Sequence, residues 1–259
     1  AEDAIRMVDV DYEPLEVELD LEAAIQDDAP RVHADVANNV AAQFVQTVGD
    51  PDDAFARAEH ITKIKVQVDR STAAPLECRA IAARWDDITG ELMVWDGTQA
   101  PISVRGGLAS ILGLDEDKVR VTAPDVGGGF GSKIYHYAEE AIVTWASKKI
   151  GRPVKWIAER QESILTDEHG RGGFVDAELA LDADHNFIAL RTHTKVPIGA
   201  YFTTDRNIGA AVSGLGGLAG VYKTPNIHAM VTGALTNIMT NAQYRGGAKP
   251  EPCHVIEVM

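Results

Sequence analysis

The sequence has 259 residues, 45% apolar and 24% charged, a globular composition able to bury a core in one large domain or two ordinary ones. Its 24 Lys and Arg against 39 Asp and Glu leave a net charge of -15, which argues against a nucleic-acid or anionic-membrane surface. No stretch approaches the roughly 20 apolar residues of a membrane span, nothing at the N-terminus reads as a signal peptide, and Cys78 and Cys253 form neither a metal spacing nor a disulfide framework, so reduced thiols in a cytoplasm are the simplest reading.

The chain opens inside an apolar–polar alternation over residues 4–17 and stops in "PCHVIEVM", an apolar-rich run without a stop signal, which suggests a piece of something longer. Residues 20–44 show no regular period and read as a connecting stretch on a surface, with a boundary near Asp35 to Asn39. Asp50 is placed to cap a short helix opened by Pro51. Ile64, Val66 and Val68 alternate with polar neighbours, and "RAIAARWD" and "ELMVWDG" repeat the strand pattern around the turn "DITGE", so the three read together as an antiparallel meander. Pro101 opens a helix despite Gly106 and Gly107, and "KVRVTAP" returns as a strand into "DVGGGFGSK", residues 125–133.

The run after that loop predicts a helix with Ala138, Ala141, Ile142, Trp145, Ala146 and Ile150 on its apolar stripe, Glu139 and Glu140 on its solvated face, Lys148 and Lys149 at the C-terminal dipole and Gly151 as its stop. Three more strands follow in "PVKWIAER", residues 172–197 around the turn "DADHN", and "NIHAMVTGALT". Strand runs interrupted by single helices favour an α+β fold of mixed and antiparallel sheets with packed helices.

A strand, a run of glycines and a helix form an arrangement in which backbone N–H groups and the positive end of a helix dipole can face an anion. The spacing fits neither the dinucleotide fingerprint nor a P-loop, because Ile134 stands where Ser or Thr is needed. A tight glycine turn in a close-packed corner is the plain alternative. "WDGTQAP" places the uncharged donors and acceptors of Thr98 and Gln99 at a strand-to-helix junction, where a cap and turn explain them equally well. "NAQYRGGAKPE" sets Arg245 beside Gly246 and Gly247, a fork of donors suited to an anion or to a structural salt bridge. The eight histidines show no zinc spacing, and the neighbours Cys253 and His254 would point about 100° apart on a helix rather than act as a pair.

Taken in order, "WDGTQAP", "VTAPDVGGGFGSK" with the following "GRPVKWIAERQESIL", and "YKTPNI" with "TNAQYRGGAKPE" resemble the molybdopterin-binding large subunit of the xanthine dehydrogenase and aldehyde oxidase family. The bacterial carbon monoxide dehydrogenase-like and isoquinoline or nicotinate dehydrogenase-like subunits are most similar. The resemblance runs the length of the chain and implies a first molybdopterin-binding domain over residues 36–259, incomplete at its C-terminus, with residues 1–35 as the tail of a preceding α/β hammerhead domain and a linker. It also implies a molybdenum hydroxylase that inserts water-derived oxygen into an aldehyde or an N-heteroaromatic substrate. Electrons would pass to 2Fe-2S and FAD groups on an iron–sulfur small subunit and a flavin medium subunit. The cofactor would be molybdopterin, its cytosine dinucleotide form among the options.

By that resemblance Gln99 and Phe130 border the metal as catalytic residues, and Gln99, Gly128, Gly129, Phe130, Gly131 and Arg245 bind the cofactor. Ile134, Ser213 and Gly247 fall at the substrate pocket. Ile134 replaces the glutamate of purine-oxidising members, and the neighbourhood of Ser213 lacks their arginine, so xanthine is disfavoured. Carbon monoxide is the least favoured of the remaining substrates, since Cys253 lies several residues beyond Arg245. The family's catalytic glutamate lies in a C-terminal half, so this polypeptide alone is expected not to turn over substrate. Competing readings are a cofactor-free binding or assembly module and an unrelated phosphate-binding enzyme. The joint presence of Gln99, Phe130 and Arg245 weighs against the first, and the missing P-loop Ser or Thr weighs against the second.

Overall fold

The computed structural model describes residues 2–212 and 214–259. In chain order its elements are α1 (Glu2–Ile5), α2 (Leu21–Ala24), β1 (Val40–Val48), α3 (Pro51–Ala56), β2 (His60–Thr72), β3 (Ala80–Asp86), β4 (Glu91–Asp96), α4 (Pro101–Leu112), β5 (Val119–Thr122) and α5 (Ala138–Ile150). They continue with β6 (Val154–Ile157), α6 (Arg160–Thr166), β7 (His169–Leu181), β8 (Phe187–Gly199), α7 (Arg206–Val212), β9 (Asn226–Leu235), β10 (Asn241–Ala242) and α8 (Pro250–Val258). The strands form two sheets of mixed direction with helices packed on them, as the α+β reading expects.

The smaller sheet has the order β5-β4-β3-β6. Its β3–β4 hairpin is the predicted one, β5 joins β4 in parallel, and β6 pairs antiparallel with β3. Leu92 and Val94 from β4 meet Val104 and Leu108 from α4 and Val143 from α5 in one core. Full burial of side chains of this size contributes about 1.5–3 kcal/mol each. The helix α4 begins at Pro101 as expected. Its Gly107 packs against the His136 ring, with room for a Cβ at ordinary contact distance, 3.4 Å.

The strand β2 does not join that hairpin, so the expected three-stranded meander is incorrect. It pairs antiparallel with β7 over residues 60–72, in the larger sheet ordered β1-β9-β8-β7-β10. Both β2 and β8 pair with residues 174–181 and so occupy opposite edges of β7, while β10 takes up the edge that β8 leaves at residues 169 and 170. The inward side chains Ile64 and Val66 pack against Val175, Ala177 and Val255. Alternation identifies which face of a strand is buried but says nothing about a partner a hundred residues away.

Residues 20–44 are also not merely a connection. Their last five residues open β1, which pairs antiparallel with β9. Asn39 is fully buried and donates to the carbonyls of Ala24 and Pro30, and the Glu18 backbone exchanges hydrogen bonds with Asn237. The short helix at Pro51 forms as expected, with Asp50 accepting from Asp53 N–H.

The helix after the glycine loop has the predicted span but not the predicted face. Its buried positions are Glu140, Val143, Thr144 and Ser147, whereas Ile142, Trp145 and Ile150 are more than half exposed. Small side chains on the inner stripe allow close approach to β3. There the Ser147 hydroxyl accepts from Trp85 N–H at 3.0 Å, just beyond the residues of β3 that pair with β6. Glu140 is therefore buried rather than solvated, and Glu139 faces Arg79. The helix also starts seven positions beyond Gly131, with Tyr137 as its N-cap, so its N-terminus does not directly follow the glycines.

Candidate functional site

The site is a seam between the two sheets, closed by three chain segments. The smaller sheet supplies the end of β4. There Thr98 Oγ1 donates to the Lys133 carbonyl at 3.1 Å and accepts from Ala100 N–H, and Gln99 N–H donates to the same carbonyl at 2.8 Å. The junction residues thus dock onto the last residue of the glycine loop rather than serve as a helix cap.

The glycines are required first by the protein's own packing. A Cβ on Gly129 would overlap the Gln99 carboxamide, whose Oε1 accepts from Gly131 N–H at 3.0 Å. Gly131 has φ +110, and a Cβ there would overlap the carbonyl of Gln243. The larger sheet therefore reaches the loop through the segment after β10. Arg245 N–H donates to the Phe130 carbonyl at 2.9 Å, and Gln243 N–H donates to the hydroxyl of buried Tyr135 at 2.8 Å. Phe130 holds the left-handed φ of 51°, rare for a bulky residue, with its ring beside Gly128 and 42% of its surface exposed. Arg171 secures the far side, donating to the Arg245 carbonyl at 3.1 Å and pairing with Glu251 at 3.2 Å.

Gln99, Gly128, Gly129, Phe130, Gly131 and Arg245 are therefore neighbours. Gly247 lies two residues beyond Arg245, in a turn closed by its N–H to the Tyr244 carbonyl. Ile134 lines a different cleft, with Ser103, His136, Thr203 and the charged Asp205 and Arg206. Ser213 lies outside the described residues.

Beneath the seam is a cluster of buried ionisable groups that sequence patterns reveal only in part. Arg79 is 5% exposed, donates to Asp167 at 2.6 Å and Glu139 at 2.9 Å, and stacks 3.8 Å from the Tyr137 ring centroid. Burial opposes its charge, but Glu139 and Asp167 outweigh this and hold it firmly protonated. Burial, then the nearby Glu140, pushes Asp96 up to about 7, and its Oδ2 has no hydrogen-bond partner among the described residues. Burial raises Glu140 as well, opposed by His136, whose Nδ1 lies 2.7 Å away. One signal was present: His136 and Glu140 stand four positions apart, where their side chains can meet.

Burial also pushes Glu168 up to about 7, despite hydrogen bonds from Thr203 and Asn207. A carboxyl raised from its ordinary value binds more protons in the folded state. It therefore contributes stability below about pH 4 that is lost as pH rises towards 7. Glu168→Gln should accordingly stabilise the fold more at pH 8 than at pH 5, by a difference on the order of 3 kcal/mol. Thermal unfolding at the two pH values checks this, and equal shifts would contradict it.

The model of the molybdopterin cofactor-binding domain matches residues 32–259. The chain belongs to the molybdopterin cofactor-binding domain family. It is 34% identical to the nicotine 6-hydroxylase large subunit of Paenarthrobacter nicotinovorans, covering 95% of this chain and 30% of that protein. It is also 34% identical to the carbon monoxide dehydrogenase large chain of Afipia carboxidovorans, over 92% of this chain and 31% of the relative. Among solved structures, quinoline 2-oxidoreductase from Pseudomonas putida 86 superposes with a TM-score of 0.89 at 32% identity, over 95% of this chain and 31% of that one. This molybdopterin-binding chain thus spans about three-tenths of the length of the large subunits it matches.

The donors at the seam suit an anionic group. The N–H groups of Gly128, Gly129 and Phe130 have no hydrogen-bond partner among the described residues, and neither do the Gln99 Nε2 and the Arg245 guanidinium. Among the described residues no three His, Cys, Asp or Glu side chains come together as metal ligands. The seam thus offers hydrogen-bond donors, and a pterin cofactor carrying its metal on sulfur ligands would use such donors at its oxygens.

Proposed function

We propose that this chain is the cofactor-holding part of the catalytic subunit of a molybdenum hydroxylase, which inserts water-derived oxygen into an aldehyde or N-heteroaromatic substrate. The carrying observation is the convergence of Gln99, residues 128–131 and Arg245 on one seam, where the N–H groups of residues 128–130, the Gln99 Nε2 and the Arg245 guanidinium have no partner among the described residues. Bound there, molybdopterin would supply the metal-centred two-electron oxidation. The chain's own residues hold and orient. Gln99 presents its amide Nε2 while its Oε1 is fixed by Gly131, the loop N–H groups face developing negative charge without reorganisation, and Arg245 neutralises an anionic part of the cofactor. Phe130 offers an exposed ring at the rim to shield the reacting atoms from water.

On this reading residues 36–259 are the first molybdopterin-binding domain and residues 1–35 the tail of the preceding hammerhead domain. Turnover requires the rest of the large subunit, with 2Fe-2S and FAD on partner subunits in a cytoplasmic complex. The exposed side chains Ile142, Trp145 and Ile150 of α5 suit contact with that remainder. Nicotine and quinoline, named for two of the relatives, are N-heteroaromatics, which favours that substrate class over aldehydes. Ile134 stands where purine-oxidising members carry a charged clamp, and Gly247 and Ser213 complete the proposed substrate-pocket set. A substrate screen of the assembled enzyme with an electron-acceptor dye tests this. Turnover of N-heteroaromatics with 18O taken from labelled water is expected, and turnover of carbon monoxide alone would overturn the substrate class.

A further inference from the structure

One ion pair touches both ends of the glycine loop. Glu77 Oε2 accepts from Gly127 N–H at 2.8 Å and from Lys133 Nζ at 2.8 Å, and Glu77 N–H donates back to the Gly127 carbonyl at 3.2 Å. Lys133 is 2% exposed, and its own carbonyl is the acceptor shared by Gln99 N–H and Thr98 Oγ1. One residue therefore fixes the backbone of Gln99 on one side and, through Glu77, the first glycine of the loop on the other. A Cβ on Gly127 would be 2.5 Å from the Glu77 Cβ, so the carboxylate arm lies directly on the loop.

We propose that Glu77 and Lys133 form a clasp that holds Gln99 and residues 127–131 in the arrangement that receives the cofactor. They are positioning residues, since Glu77 Oε2 and Lys133 Nζ bond to each other and Glu77 Oε2 also to the Gly127 backbone. The clasp itself follows from the contacts, while its consequence for the cofactor rests on the function proposed above. A buried ammonium is retained only when paired, whereas the half-exposed Glu77 carboxylate can be solvated if its partner is removed. Lys133→Met is therefore the informative variant, because it keeps the apolar stem and strands no buried charge. Glu77→Asp is the second, because it keeps the charge and shortens the reach.

The measurement is hydrogen exchange by mass spectrometry on the assembled complete enzyme, with molybdenum content read after gel filtration. In Lys133→Met, exchange at Gly127 and Gly131, the hydrogen-bonded amides of the loop, is expected to rise about tenfold or more while β7 to β9 are unchanged, and retained molybdenum to fall several-fold. Glu77→Asp should give a smaller rise at the same amides. Unchanged exchange at 127–131 in both variants would overturn the clasp. Faster exchange with full molybdenum retention would uphold the clasp and overturn the placement of the cofactor against this loop.

Discussion

Replacing Gly131 by alanine is expected to separate the two sheets at the seam and to lower the molybdenum content of the assembled enzyme by about tenfold or more. Two costs combine. At φ +110 any L side chain is strained, by about 1–3 kcal/mol. The added Cβ would also overlap the Gln243 carbonyl, which must withdraw and take with it the Arg245 N–H bond to the Phe130 carbonyl. The control is Gly90, at φ +66 in the β3–β4 turn, where nothing lies within 4 Å of a new Cβ. Gly90→Ala carries backbone strain alone, costing about 1 kcal/mol, and leaves the metal content unchanged. Equal metal content in the two variants would show that the contact with Gln243 does not matter to the site.

The second large effect is structural. Arg79→Met should lower stability by about 3–5 kcal/mol, because it leaves Asp167, 2% exposed, with its charge uncompensated in the interior. The loss also removes the donors to Glu139 and Thr166 and the stacking on Tyr137. Arg57→Ala offers the comparison. Its pair with Asp53 is exposed on both sides and is worth less than about 1 kcal/mol. Urea unfolding of the two variants checks the contrast, and similar losses would contradict the assignment of Arg79 as the buried anchor.

The sequence made the local elements legible where signals are local. Asp50 with Pro51, Pro101, and Lys148 and Lys149 before Gly151 mark helix ends by capping and dipole chemistry, and these boundaries hold. Periodicity misjudged the buried stripe of α5 because it weighs side-chain polarity alone. Ser147 and Thr144 face inward because each finds backbone partners there, and a polar group so satisfied costs little to bury. The partner of β2 and the cluster around Arg79 were not legible, since residues 79, 139 and 167 meet only through tertiary packing.

The site was legible in part. Family resemblance brought together Gln99, the glycine loop and Arg245, and the structure makes them neighbours. It did not show that the glycines first accommodate Gln99, Gln243 and Glu77, because no spacing rule encodes a contact between loops from different sheets. Such contacts give the seam its rigidity, and a preorganised set of donors depends on it.

The most direct measurement of the central claim is molybdenum by elemental analysis in the assembled enzyme, for the natural sequence and for the double variant Gln99→Ala, Arg245→Ala. The seam as described predicts about one molybdenum per large subunit with the natural sequence and a loss of about tenfold in the double variant at unchanged subunit assembly. Full metal content in the double variant, or none with the natural sequence when the partner subunits are present, would contradict the account.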